Sequence, residues 1–137
     1  MRYTPSTGPG KILVVERDPA VALSVETILG TWEAFEVTTV SNAAEAAVLM
    51  EHEPWDLILA DFELPGAEAL RLLSAVRAEA AGLPFAMLTA YPVLPPAAAK
   101  LEAADGFITK PLLPSGLIGL ATGLIEHSRR SREQADG

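Results

Sequence analysis

Residues Asp56–Gly66 read DLILADFELPG, and this stretch decides the fold. Leu57 to Ala60 is apolar at every position. A strand with one wet face alternates apolar and polar side chains, whereas a strand covered on both faces does not. The run therefore predicts a strand buried between two layers of helix. Asp61 follows at its carboxyl end, and Pro65-Gly66 makes the next turn.

Outward from this stretch the pattern repeats. Ile12 to Val15 (ILVV) and Phe85 to Leu88 (FAML) are further apolar runs, and Val37 to Val40 (VTTV) and Phe107-Ile108 are shorter strand candidates. Asp18-Pro19 opens a helix, with Asp as the cap and Pro at the first helical position. Val21, Val25, Ile28 and Leu29 give that helix one apolar face, and Gly30 is its stop. Ser41 is the expected cap of a second helix, Asn42 to His52, with Glu45 one step late for a capping box and Pro54 as terminator. Ala69, Leu73, Val76 and Ala80 stripe a third helix. Pro95-Pro96 delays a weak fourth, about Ala97 to Ala104, and Leu113 to about Arg130 forms the last. Five β-α units imply an α/β fold, a five-stranded parallel sheet with helices on both faces. The flavodoxin-like strand order 2-1-3-4-5 is the natural arrangement.

Composition agrees. The 137 residues suit one domain, and with 50% hydrophobic and 20% charged residues a folded core is expected. No cysteine is present, which excludes disulfides, thiolate metal sites and cysteine catalysis. Ten basic residues against eighteen acidic ones give a formal charge of −8, so nucleic acid is not an expected partner. Ala80 to Ala99 is a run of 20 residues without charge, but Pro84, Pro92, Pro95 and Pro96 fit a strand and loop better than a membrane span. The start lacks the apolar stretch of a signal peptide, so a soluble, cytoplasmic protein without a membrane partner is expected.

Ligands of open parallel sheets sit beyond the carboxyl ends of the strands. Here those ends carry Glu16, Arg17 and Asp18, then Asp61, then Thr89 with the small Ala90, then Thr109, Lys110 and Pro111. Acids, a hydroxyl and a lysine thus converge on one edge. Such a set suits a phosphoryl group on a carboxylate. Asp61 can act as nucleophile, neighbouring acids can hold a divalent cation, Thr89 can donate to one phosphoryl oxygen and Lys110 can pair with another.

The segments ILVVERDP, DLILADFELPG, MLTA and FITKP resemble the receiver (CheY-like) domain of bacterial two-component response regulators, over about Lys11 to Glu126. The resemblance implies a domain over residues 11–127, a flexible N-terminal tail over 1–10 and a polar C-terminal tail over 128–137. It implies that Asp61 is phosphorylated by a sensor histidine kinase or a histidine phosphotransfer protein. It implies that Thr89 and Lys110 bind the phosphoryl group, that Thr89 and Phe107 take part in switching, and that Lys110-Pro111 is cis. Because the chain ends about eleven residues after Glu126, it is expected to signal by docking to a downstream protein partner, and not as an enzyme.

The sequence departs from the family pattern after its first strand. The family has two consecutive acids, the second a direct Mg²⁺ ligand; here Glu16 is followed by Arg17. A guanidinium cannot ligate a metal, but it can form a bidentate pair with Asp61. Two outcomes follow. Either Glu16, Asp18, Asp61 and the backbone of Glu63 still recruit Mg²⁺ weakly and phosphorylation survives, or Arg17 replaces the metal and the domain is a pseudo-receiver that only binds partners. Pro65-Gly66-Ala67-Glu68-Ala69 also departs from the family's proline-glycine-X-aspartate-glycine, and the prolines of Tyr91 to Pro96 shorten the helix of the switching face.

Other features have plainer readings. His52 and His127 sit at helix ends, where a cationic imidazole suits the dipole. Arg129, Arg130 and Arg132 do the same and aid solubility. Trp32 and Trp55 read as core-edge packing. Leu117, Ile118, Leu120, Ala121, Leu124 and Ile125 make the last helix apolar around much of its girth, which leaves open a homodimer or partner surface beside simple burial. A hydrolase on the same fold is disfavoured, since no substrate-covering insertion exists.

Overall fold

The computed structural model describes residues 8–32, 34–90 and 104–136. Its elements run β1 (Gly10–Val15), α1 (Pro19–Gly30), β2 (Phe35–Val40), α2 (Ala43–His52), β3 (Leu57–Asp61), a 3₁₀ turn (Pro65–Ala67), α3 (Glu68–Glu79), β4 (Phe85–Thr89), β5 (Gly106–Thr109) and α4 (Pro114–Asp136). The sheet is parallel, with order β2-β1-β3-β4-β5. This is the expected α/β architecture. The weak helix expected over about Ala97 to Ala104 and the loop Tyr91 to Pro96 lie outside the described residues, apart from Ala104 itself.

Alternation explains the two layers. Leu13, Val15, Ile58, Ala60, Phe85 and Met87 face α2 and α3, meeting Ala46, Met50, Ala69, Leu72, Leu73 and Val76. Ile12, Val14, Leu57, Leu59, Ala86 and Leu88 face α1 and α4, meeting Val25, Leu29, Leu117, Ala121 and Ile125. The three central strands are apolar throughout because both faces are covered. β2 is an edge strand with alternating exposure, which is why VTTV is the more polar run.

Local chemistry sets the helix starts. The Asp18 carboxylate accepts from the Ala20 amide at 2.9 Å, with Pro19 in the first turn, as the sequence predicts. The second helix starts one residue later than expected. Asn42, not Ser41, is its cap, accepting from the Glu45 amide at 2.8 Å. Glu45 then stands at the third helical position, and its carboxylate returns to the Ser41 amide at 3.2 Å.

The last helix differs most. It continues to Asp136 and does not stop near Arg130, so most of the expected tail 128–137 is helical. Leu117, Ala121 and Ile125 are buried, and Ile118, Leu120 and Leu124 pack against the same core. A side chain on Gly106 would stand 2.7 Å from Leu120 Cδ1, so that glycine lets α4 come close to β5. The sheet thus takes up the apolar girth that raised the idea of a dimer face. Trp55 is buried with Nε1 donating to the Leu49 carbonyl at 3.2 Å, but Trp32 is 52% exposed and is not core-edge packing.

Candidate phosphoacceptor site

The carboxyl ends of β1, β3 and β4 bring Glu16, Asp61 and Thr89 to one edge, all buried: 3%, 6% and 1% exposed. Parallel register does this. Val15 pairs with Ala60, Asp61 with Leu88, and Thr89 with Thr109. Lys110 follows directly on β5, its amide donating to the Thr89 carbonyl at 2.7 Å. The Lys110-Pro111 bond is cis, as the resemblance implies.

Lys110 is the electrostatic centre. Its Nζ lies 3.3 Å from Asp61 Oδ2 and 3.4 Å from Glu16 Oε2. The other oxygens of both acids have backbone donors. Asp61 Oδ1 accepts from the Glu63 amide at 2.9 Å, and Glu16 Oε1 from the Asp18 amide at 3.0 Å. Glu16 Oε2 is buried without a hydrogen bond. Burial pushes the Glu16 carboxyl above its ordinary value; the Asp18 amide opposes this, the charge of Asp61 reinforces it, and Lys110 opposes it more weakly. For Lys110, burial pulls downward, but the charges of Asp61, Glu16 and Glu63 outweigh it and hold the ammonium protonated above its ordinary range.

The expected pair of Arg17 with Asp61 is not formed. Arg17 is exposed and has no ion pair among the described residues; Lys110 is the partner of Asp61. Successive residues of an extended chain point to opposite sides, so Glu16 turns into the site and Arg17 turns out. Asp18 is not gathered in either, because its carboxylate caps α1. Glu63 contributes its amide to Asp61, while its carboxylate accepts from the Ala90 amide at 2.8 Å. Phe107 lies in β5, 38% exposed.

Among the described residues no group of three acids or histidines is set to hold a metal. Glu16 Oε2 and Asp61 Oδ2 nonetheless converge on one ammonium, and one of them has no hydrogen-bond donor. Mg²⁺ is commonly held by one or two carboxylates, with water and substrate phosphate completing its shell. The residues fit Mg²⁺ in that reduced form, one carboxylate short of the four-donor set expected with Asp18.

The chain matches the family model of the response regulator receiver domain over residues 12–121. It belongs to the response regulator receiver family. This receiver domain of two-component signalling is 35% identical over 103 residues to the response regulator protein PilR of Pseudomonas aeruginosa, covering 74% of this chain and 23% of that protein. It is 32% identical over 109 residues to the DNA-binding response regulator MtrA of Mycolicibacterium smegmatis, covering 79% of this chain and 47% of that one. The chain thus spans less than half the length of these curated relatives. A CheY-like receiver domain protein from Methanospirillum hungatei superposes with a TM-score of 0.80 at 30% identity, covering 90% of this chain and 99% of that one. The Thermotoga maritima regulator TrrA, solved in complex with Mg²⁺-BeF, superposes with a TM-score of 0.75 at 26% identity, over 84% and 98% of the two chains. Receiver domains are signalling domains that work with histidine kinases and downstream effectors. No described helix of this receiver is long and apolar enough to cross a membrane.

Sequence reasoning placed Asp61, Thr89 and Lys110 on one edge, where the structure has them, but missed two things. One of its two outcomes paired Asp61 with Arg17, and neither paired it with Lys110, the partner it has in the structure. It also gave Glu63 a role for its backbone alone, and nothing in the spacing announces the contact of its carboxylate with Ala90.

Proposed function

We propose that this receiver accepts a phosphoryl group on Asp61 from a phosphohistidine of a sensor kinase or phosphotransfer protein and signals by docking to a downstream protein. The observation that carries this reading is the placement of one ammonium, Lys110 Nζ, against Asp61 Oδ2 and Glu16 Oε2 at the carboxyl edge of the sheet. Oδ1 is tied to the Glu63 amide, so Oδ2 is the nucleophilic oxygen. The Oδ2–P bond forms as the donor's P–N bond breaks. The electron pair stays on the imidazole, which leaves neutral when its other nitrogen carries a proton. Lys110 balances charge on the transferring group, and in this reading the Thr89 hydroxyl donates to one of its oxygens. Mg²⁺, when bound, would rest on Glu16 and Asp61 with the Glu63 backbone oxygen and would neutralise phosphoryl charge. Phe107, on the strand leading to Lys110, is the switch aromatic of this reading.

The donor's docking place is a groove of about 540 Å³ lined by Val21, Leu23, Ser24, Ile28, Lys110 and Leu112. It is mostly apolar and shares Lys110 with the site, so in this reading a helix seated there would bring its histidine toward Asp61. The competing reading, a binding module with Arg17 locked onto Asp61, rests on a pair absent among the described residues. The test is intact mass after incubation with acetyl phosphate, with and without Mg²⁺. A gain of one phosphoryl group that disappears in Asp61→Ala is expected. No gain in wild type together with a gain in Arg17→Asp would overturn the proposal in favour of the binding module.

A further inference from the structure

Glu63 does two things at the mouth of the site. Its amide fixes Asp61 Oδ1 at 2.9 Å, and its carboxylate takes the Ala90 amide at 2.8 Å. Ala90 is the first residue beyond the buried strand β4, directly after Thr89. Its N–H is therefore an anion-binding donor at the rim of the phosphoacceptor site, and an anion already holds it. The same carboxylate acts on Lys110, since its charge helps to keep that ammonium protonated. Three carboxylates, Glu16, Asp61 and Glu63, thus contend for one lysine.

A phosphoryl group on Asp61 Oδ2 replaces one carboxylate charge by the two charges of the phosphoryl group and brings three acceptor oxygens to this mouth. The donors there are the Lys110 ammonium, the Thr89 hydroxyl and the Ala90 amide. The Ala90 amide is held by Glu63, and like charge raises the cost of approach. We propose that the Glu63 carboxylate is an anionic plug that stands where a phosphoryl oxygen must bind, so that phosphoryl transfer to Asp61 requires its displacement from Ala90. Glu63 takes no proton and forms no bond in the step. With acetyl phosphate the Oδ2–P bond forms, the P–O bond to the acetyl group breaks, and acetate leaves with the electron pair. Glu63 sets how readily the donor enters, which makes it a rate-determining neighbour of the reacting atoms and not a member of them.

The inference rests on Asp61 being the phosphoacceptor. Its test is the initial rate of Asp61 labelling by acetyl phosphate in wild type, Glu63→Ala and Glu63→Gln, read by intact mass at low and moderate salt. Alanine frees the amide and removes the charge, so labelling about tenfold faster is expected, the factor that loss of one charged hydrogen bond at an exposed site gives. Glutamine keeps an acceptor on Ala90 without the charge, so its rate should fall between the two. Added salt should speed wild type more than Glu63→Ala, a difference that a purely structural role of Glu63 would not produce. Wild type that labels while Glu63→Ala labels no faster overturns the plug and leaves Asp61 as acceptor. No labelling in any of the three overturns the phosphoacceptor reading and the plug with it.

Discussion

The two ends of the sheet hold the same kinds of charged residue under opposite conditions. At the amino-terminal end, Asp56 and Asp105 each stand one residue before a strand and grip the neighbouring one. Asp56 donates its amide to the Lys11 carbonyl at 2.8 Å and accepts the Lys11 amide on Oδ2 at 2.8 Å. Asp105 does the same to Phe85, at 2.7 and 2.8 Å. Each carboxylate also has its own guanidinium: Arg129 at 3.5 Å from Asp56, Arg77 at 2.7 Å from Asp105. The side chain continues the backbone ladder by one rung, and each of these two carboxylates has both an amide donor and a guanidinium. At the carboxyl end, Glu16 and Asp61 divide a single lysine, and one buried oxygen has no hydrogen bond. The two carboxylates placed for structure each have a cation of their own, whereas the two at the carboxyl end share one.

If that contrast is right, mutations at the two ends should separate stability from chemistry. The largest effect belongs to Asp56→Ala. It strips the Lys11 amide and the Arg129 guanidinium of a buried partner, which costs about 2–4 kcal/mol. The midpoint of urea unfolding should fall accordingly, while the acetyl phosphate labelling rate of the folded protein stays within about twofold of wild type. A labelling defect as large as the stability defect would break the comparison.

Lys110→Ala should do the reverse. It removes the charge that faces Asp61 Oδ2, so labelling should slow about a hundredfold, near 2.7 kcal/mol of barrier. Its cost in stability should be smaller than that of Asp56→Ala, because burial already pushes the Glu16 carboxyl above its ordinary value and it takes up a proton more readily once the ammonium is gone. Labelling rates and urea midpoints measured on both variants decide the matter.

Legibility in the sequence follows the same division. The apolar runs ILVV, LILA and FAML fix three strands, because a strand covered on both faces has no room for a polar residue. The register that lines up Glu16, Asp61, Thr89 and Lys110 follows from parallel pairing of short strands, so the members of the site could be named in advance. Who pairs with whom could not. Composition places Arg17 beside Asp61 as readily as Lys110; only the direction of the side chain separates them. Arg129 looked like a solubilising residue of a tail because its partner, Asp56, lies far away in sequence and meets it only through the extended last helix. Helix starts depended on which of two adjacent capping residues, Ser41 or Asn42, took the cap, a choice that composition does not make.

Arg17→Asp sharpens the contrast further, by putting a carboxylate beside Glu16 in place of an exposed guanidinium. The Mg²⁺ concentration that half-saturates labelling should drop about twofold, since the loss of an exposed positive charge near the site favours a divalent cation. The metal-free unfolding midpoint should not change, because Arg17 has no ion pair to lose among the described residues. An unchanged Mg²⁺ dependence would mean that position 17 faces away from the site whatever residue it carries.

The smallest effect is the most direct probe of unsatisfied charge. Glu16 is held above its ordinary value of 4.5 in the folded protein, first by burial. The native state therefore keeps this proton to higher pH than the unfolded chain does. Native stability then falls as pH rises through 4.5 toward the native value, and levels off above it. Glu16→Gln removes the group that loses its proton. It should unfold later than wild type at pH 7, and the advantage should shrink as pH drops from the native value toward 4.5 and vanish below it. Thermal melts of both proteins across that window read the sign directly. If the glutamine variant were the less stable at pH 7, the ion pair with Lys110 would outweigh the burial of Glu16, and the carboxyl end of the sheet would be as well satisfied as the end held by Asp56 and Asp105.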